Sequence, residues 1–133
     1  MSSCDSSDGK LQVVNASDRE IVFAYEQKNL NNETDDSPPY PIDESGNPVL
    51  TKEFIKGEYS NFVMPHEIKR MWTFGYWEDI FIPGTKVSFY ILDAHTVKVV
   101  PWNQIRQKKL YLRKYDYPLE EMQKSHWQIK YTE

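Results

Sequence analysis

The residues best suited to acid–base or metal chemistry are three histidines, which lie far apart in the sequence: His66, His95 and His126. No two of them have the i, i+4 spacing that places a pair of metal ligands on one face of a helix. Asp93 lies two residues before His95, and the two side chains could exchange a proton. An aspartate at a turn more commonly accepts hydrogen bonds from nearby backbone amides, so we favour a capping role for Asp93.

The motifs of several common enzyme classes are absent from the sequence. It contains no glycine-rich phosphate loop, no CxxC pair and no Gly-x-Ser-x-Gly elbow. Two acidic pairs, Asp35-Asp36 and Asp43-Glu44, lack the alternating ligand positions of a calcium-binding loop. We therefore predict a protein that is not an enzyme and that uses no cofactor or metal ion.

The single cysteine, Cys4, indicates lipid attachment. The small residues Ser2 and Ser3 precede it, and Met1 holds the aliphatic position of a bacterial lipobox. The polar segment that follows buries too little apolar surface to fold. We predict lipidation at Cys4 and a flexible N-terminal tether over residues 1–10. A cytosolic N-terminus that happens to contain a cysteine remains the alternative.

Aromatic residues could form a binding surface. Four of them flank Gly75: Trp72, Phe74, Tyr76 and Trp77. Such rows can stack on sugar rings, but small β domains also use them as core, and core packing is the favoured interpretation. Exposure as a patch would instead favour a ligand or partner site. Tyr40, in the polar, proline-rich segment Gln27–Pro48, is a further binding candidate.

The charges are mixed along the chain and sum to −4. This distribution argues against nucleic acid as a partner, since nucleic-acid binding requires a concentrated basic face. A local basic cluster is interpreted as a solvated face: Arg106, Lys108, Lys109, Arg113 and Lys114. The acidic residues of Glu33–Asp36 and Asp43-Glu44 could meet a basic protein.

The length of 133 residues predicts one folded domain over residues 11–133. An aromatic content of 14%, with eight prolines and five glycines, favours sheets joined by turns. Leu11–Asn15 and Glu20–Tyr25 are predicted to pair as a hairpin, and Val87–Leu92, bulky on both faces, is predicted to be a central strand. We expect a mainly β, sandwich-like (immunoglobulin-like) fold of antiparallel sheets with two short helices near the C-terminus. The alternative is an α+β fold with the helices on one sheet face.

Five short motifs follow one another in the last third of the chain: Phe89-Tyr90-Ile91-Leu92-Asp93, Trp102-Asn103-Gln104-Ile105, Arg113-Lys114-Tyr115-Asp116, Leu119-Glu120-Glu121-Met122 and Trp127-Gln128-Ile129-Lys130-Tyr131. In this order they resemble the C-terminal part of small, uncharacterised lipoproteins of Bacteroides-type bacteria. Pro118 departs from that pattern, because relatives often carry Ser or Thr there. The resemblance implies a lipid-anchored address in the cell envelope, at the outer membrane or cell surface, and implies no reaction.

Together these observations predict a non-enzymatic cell-envelope lipoprotein, monomeric, that acts as a binding module for an unidentified protein or glycan. Three alternatives stay open. One is an immunity or inhibitor protein that neutralises an enzyme partner, and another is a surface glycan-binding accessory protein. The third is a hydrolase, which would need a pocket with two of the histidines or with a carboxylate pair within hydrogen-bonding distance.

Overall fold

The computed structural model describes residues 7–28, 34–35 and 37–133. Its strands are β1 (Ser7–Asn15), β2 (Ile21–Tyr25), β3 (Gln27–Lys28), β4 (Thr34–Asp35), β5 (Phe62–Val63), β6 (Ile68–Phe74), β7 (Val87–Asp93), β8 (Arg113–Tyr117) and β9 (Gln128–Tyr131). Its α-helices are α1 (Lys52–Lys56), α2 (Ala94–Val99), α3 (Trp102–Lys108) and α4 (Leu119–Lys124), and a 3₁₀ turn covers Trp77–Ile80.

One main sheet has three strands in the order β6-β1-β9. β1 lies in the centre, antiparallel to β6 and parallel to β9. Its side chains alternate in burial, so that Leu11, Val13 and Asn15 point inward. This period of two is what a strand with one covered face requires.

The other main sheet has four strands in the order β5-β2-β7-β8, and its paired strands are all antiparallel. β7 lies between β2 and β8, which confirms the predicted central strand. Phe89 and Ile91 of β7 face the core between the two sheets, and Leu92 belongs to a second cluster on the opposite face. Bulky side chains on both faces follow from burial on both faces.

Helices and loops cover the outer face of the four-stranded sheet. The second cluster joins Val22 and Leu92 of the sheet to Val97 of α2 and Ile105 of α3. The fold is therefore mainly β, with two packed sheets as in a sandwich and a few short helices, as the sequence predicted. The helices on this one face give it the α+β character of the alternative.

The predicted hairpin between the first two long strands is wrong, because β1 and β2 lie in different sheets. The turn between them is organised by the buried amide of Asn15. Its Nδ2 donates to the carbonyl oxygens of Arg19 at 2.8 Å and Met64 at 3.0 Å, and its Oδ1 accepts from the amide of Ser17 at 3.1 Å. These bonds satisfy buried backbone groups where the chain passes from one sheet to the other. β1 and β2 therefore lie on opposite sides of one core.

The predicted boundary of the tether is also wrong, because β1 already begins at Ser7. Asp8 accepts hydrogen bonds from the backbone amides of Trp77 and Lys10, each at 3.0 Å. Gly9 lies under the Trp72 ring, so closely that an added Cβ would be 2.8 Å from ring atoms. Residues 7–10 therefore belong to the domain, while Cys4 lies outside the described residues.

Candidate functional site

The aromatic run around Gly75 contains both buried and exposed residues. The φ of +75° at Gly75 turns the chain at the end of β6, a conformation that glycine adopts without steric cost. Trp77, beyond this turn, is fully buried, and its Nε1 donates to the Met71 carbonyl at 3.0 Å. The ring centroid of Tyr25 lies 5.0 Å away. Trp77 is therefore a core residue.

Tyr40 lies in the second cluster, not beside the aromatic run. It is 6% exposed, and its ring meets that of Trp102 edge-on at 5.9 Å between centroids. Burial raises the pKa of Tyr40 to about 12. Its buried hydroxyl has no hydrogen-bond partner among the residues that the structure describes. Tyr40 thus packs against α3 and is separate from the exposed rings.

The other aromatic side chains near Gly75 form an exposed group at the end of β6. Phe74 is 89% exposed and Tyr76 is 66% exposed. Trp72 is half-buried and meets the 68%-exposed Tyr59 edge-on, with ring centroids 5.5 Å apart. We call these four residues, Tyr59, Trp72, Phe74 and Tyr76, the aromatic surface. An open groove of about 410 Å³ runs along it, beside Ser7.

Charged side chains border the aromatic surface on one side. Lys10 Nζ lies 6.0 Å from the ring centroid of Tyr76 and 3.4 Å from the carboxylate of Asp8, and it donates a hydrogen bond to Glu78. The hydrogen bond to Glu78 is the main reason that the pKa of Lys10 is raised. The ammonium therefore stays charged, and it orders the border of the aromatic surface.

A second concave site lies on the other sheet, between α3 and the strands β7 and β8. It has a volume of about 290 Å³. Tyr90 and Tyr111 line it, with ring centroids 5.1 Å apart and planes at 57°. Three cations also line it: Arg106, Lys109 and Lys114. We call this site the basic groove.

The sequence pattern did not predict the basic groove, whose cations were expected to form a solvated face. Alternation along β7 predicts that Tyr90 points to the other face of the strand from Phe89 and Ile91. The pairing of Tyr90 with Lys114 across β7 and β8 could not be predicted, because the register between distant strands leaves no local pattern in the sequence.

Comparison with protein-family models, with curated proteins and with solved structures found no match. The assignment of a function therefore depends on the residues of this chain alone.

Two of the three histidines lie beside aspartates in the described part of the chain. The amide of His95 donates to Asp93 Oδ1 at 2.8 Å, which confirms the capping role of that aspartate, and Asp93 Oδ2 pairs with Arg19 at 2.6 Å. His66 Nε2 lies 2.7 Å from the exposed carboxylate of Asp18. Within residues 7–28, 34–35 and 37–133, no three His, Cys, Asp or Glu side chains lie close enough together to hold a metal ion.

The acidic pairs fall partly outside the described residues, since Glu33 and Asp36 are not among them. Asp43 Oδ1 accepts from the amides of Ser45 and Asn47, each at 2.9 Å, and so shapes a turn. No described helix has both the length and the apolar character needed to cross a membrane.

Proposed function

We propose that this chain is a non-enzymatic binding module of the cell envelope, anchored by a lipid at Cys4, that recognises a protein partner through the aromatic surface. The observation that carries the proposal is the exposure of Phe74, at 89%, beside Tyr76, at 66%. Neighbouring aromatic rings left in water are costly unless a partner covers them, and such patches are typical of interaction sites.

A protein fits the aromatic surface better than a glycan does. Phe74 has no atom that can hydrogen-bond a sugar hydroxyl, so a partner that covers this ring should offer it an apolar contact. β6 is an edge strand of its sheet as described, and Ile68 at its other end is 61% exposed. An edge strand with apolar side chains can accept a further strand from a partner.

The position of β1 supports an anchor close to the same surface. Cys4 precedes Ser7 by three residues, so their Cα atoms lie at most about 11 Å apart. Ser7 pairs with Phe74 across β1 and β6. A lipid on Cys4 would therefore hold the aromatic surface near the membrane, where a partner in the envelope would meet it.

Site-specific crosslinking in cells tests the proposed partner. A photoreactive amino acid at position 76 should capture a protein, and the same group at Val99, which is 62% exposed on α2, should not. Phe74→Ser should remove the adduct at position 76 without unfolding the domain, because the side chain is largely in water. Equal adducts at both positions, or an adduct that survives Phe74→Ser, would contradict the proposal.

Two further measurements separate the parts of the proposal. If the purified domain binds a glycan and Phe74→Ser abolishes this binding, the partner of the aromatic surface is a sugar and not a protein. Cys4→Ala should release the protein from the membrane fraction and abolish fatty-acid labelling. If Cys4→Ala still associates with the membrane and is still labelled, Cys4 is not the lipid anchor. The role of the aromatic surface would then be decided by the crosslinking experiment alone.

A further inference from the structure

We propose that the protein partner at the aromatic surface is a second copy of this chain, and this choice of partner rests on the proposed function. The two copies pair their β6 strands antiparallel around a two-fold axis. Their three-stranded sheets then become one continuous sheet, because β6 is the edge strand of each. Such a dimer replaces the monomer that the sequence led us to expect.

The backbone of β6 has a free edge in the described part of the chain. The Asn15 amide donates to the Glu67 carbonyl at 2.9 Å, across the ladder between β1 and β6. Backbone groups alternate in direction along an antiparallel strand. Ile68, Arg70 and Trp72 therefore direct their N–H and C=O groups away from β1, and no other described backbone group bonds to them.

β6 is the longest edge strand of the two main sheets as described. It has seven residues, whereas β5, β8 and β9 have two, five and four. Charged side chains commonly guard such edges against pairing. In β6, however, Lys69 Nζ donates to the Phe62 carbonyl at 2.7 Å, and Arg70 Nη1 donates to the Gly9 carbonyl at 2.9 Å. Both cations are held by other strands of the domain, so the edge stays open to a further strand.

The exposed side chains of β6 match those of a second copy. An antiparallel register centred on Met71 sets Ile68 of each copy opposite Phe74 of the other, and both of these apolar side chains are exposed in one copy. The same register sets Arg70 opposite Trp72, and an arginine packs well on an aromatic ring. A register centred on Arg70 would instead set two like charges opposite each other, which destabilises a sheet.

The surface beside β6 has room for the ring of the second copy. An open groove of about 270 Å³ passes Ile68 and Arg70, and Gly57 and Glu58 also line it. In the register centred on Met71, Phe74 of the second copy lies next to Ile68 and enters this groove. The two-fold axis repeats the contact in the other direction, so both phenylalanine rings leave water together.

Single cysteines test the register directly in a Cys4→Ala background. Ile68→Cys and Phe74→Cys should form a disulfide when the two variants are mixed and oxidised, because opposed residues of a hydrogen-bonded pair have Cα atoms about 5.5 Å apart. Neither variant alone should crosslink, since its two cysteines would lie about 20 Å apart along the strands. Val99→Cys mixed with Phe74→Cys is the matched control and should not crosslink.

Sedimentation equilibrium of Cys4→Ala measures the dimer without lipid or disulfide. A single paired edge is a small interface, so we expect a Kd between about 10 μM and 1 mM. Phe74→Ser should raise this Kd by at least about tenfold, because two rings lose their apolar contact. Val99→Ser, at an exposed position on α2, is the control and should leave the Kd unchanged.

The second copy and the proposed function can fail separately. We expect the adduct captured in cells at position 76 to contain two copies of this chain. A protein that stays monomeric up to about 1 mM, without a disulfide in the mixed variants, would overturn the dimer. A different protein captured at position 76 would in that case still support the proposed function. A disulfide that forms as readily in Phe74→Cys alone, or a dimer that Phe74→Ser leaves intact, would overturn the pairing through β6.

Discussion

Asn15 joins three parts of the chain through one buried amide. It is 1% exposed and contacts the turn at Ser17 and Arg19 and the end of β5 near Met64. An asparagine has two donor hydrogens and an acceptor oxygen, so it can satisfy several buried backbone groups at once. This side chain holds the crossing between the two sheets, and an apolar residue of the same size would leave those groups without partners.

Asp8 is the residue whose charge we expect to matter most for stability. Burial opposes its ionisation, but the amides of Trp77 and Lys10 and the Lys10 ammonium outweigh burial and lower its pKa below the ordinary value of 3.8. A carboxyl with a lowered pKa stabilises the folded state above the unfolded pKa, and this stabilisation is lost as the pH falls through the folded value. Asp8→Asn should therefore cost about 1–2 kcal/mol at pH 7 and progressively less below about pH 3.8.

Urea unfolding of the parent protein and of Asp8→Asn at pH 7 and pH 3 checks this expectation. Glu58→Gln, at an exposed position, is the control and should change the free energy of unfolding little at either pH. A loss in Asp8→Asn that is the same at both pH values would show that the charge of Asp8 does not stabilise the fold.

Some residue-scale features were predictable and others were not. The cap formed by Asp93 follows from local chemistry, since an aspartate side chain binds amides a few residues away. The different burial of Phe74 and Trp77 does not follow from their types, because both are large and aromatic. Their burial depends on the left-handed turn at Gly75, which redirects the chain after β6.

At the scale of elements, β1 and β6 are fitted to each other around Gly9. The register shifts between Asp8 and Leu11, and the Trp72 ring lies against the glycine at this irregularity. A glycine in a strand often marks a place where another group approaches closely. Trp72, the half-buried residue of the aromatic surface, thus packs against the backbone of β1.

Gly9→Ala should disturb this fit and, with it, the aromatic surface. The new Cβ would lie 2.8 Å from three Trp72 ring atoms, so the indole must shift, and its edge-on contact with Tyr59 would be disturbed. We expect a loss of about 1–3 kcal/mol in the free energy of unfolding, as for other overpacked sites, and a changed indole signal of Trp72 in NMR spectra.

A double-mutant cycle with Trp72→Phe supplies the control for Gly9→Ala. The smaller ring leaves room for the methyl group, so the double variant should lose less stability than the sum of the two single variants. Additive losses would mean that the alanine acts on the backbone and not through contact with Trp72.

The strands themselves were more predictable than their partners. β6 and β7 follow from their runs of bulky residues, which are local features. The pairing of β1 with β9 and the separation of β1 from β2 depend on contacts between distant segments. Two apolar strands that follow one another in the chain are compatible with a hairpin or with opposite walls of a core, and the local sequence pattern does not distinguish these two arrangements.

At the scale of the whole molecule, two apolar clusters share the four-stranded sheet. Phe89 and Ile91 of β7 belong to the cluster between the sheets, and Leu92 belongs to the cluster under α2 and α3. Because one strand forms part of both, loss of either cluster should weaken the other. We therefore expect the domain to unfold as one cooperative unit.

Ile105→Ala tests that cooperativity. Ile105 is 2% exposed on α3, and its truncation should cost about 2–4 kcal/mol. Tryptophan fluorescence and far-ultraviolet circular dichroism should still report the same midpoint in urea. Val99→Ala, at a 62%-exposed position on α2, is the control and should change the stability by less than about 0.5 kcal/mol. Two separate transitions in Ile105→Ala would show that the helical layer unfolds on its own.

The parallel pairing of β1 and β9 has a mechanical consequence. Gln12 to Asn15 pair with Gln128 to Tyr131 in the same direction, so the chain enters β1 at one end of this ladder and leaves β9 at the other. Tension between the segment before β1 and the segment after β9 would pull the strands lengthwise past each other. The cross-strand hydrogen bonds would then be loaded together and not one after another, and we expect the domain to resist stretching along this direction more strongly than peeling of β6 from the edge.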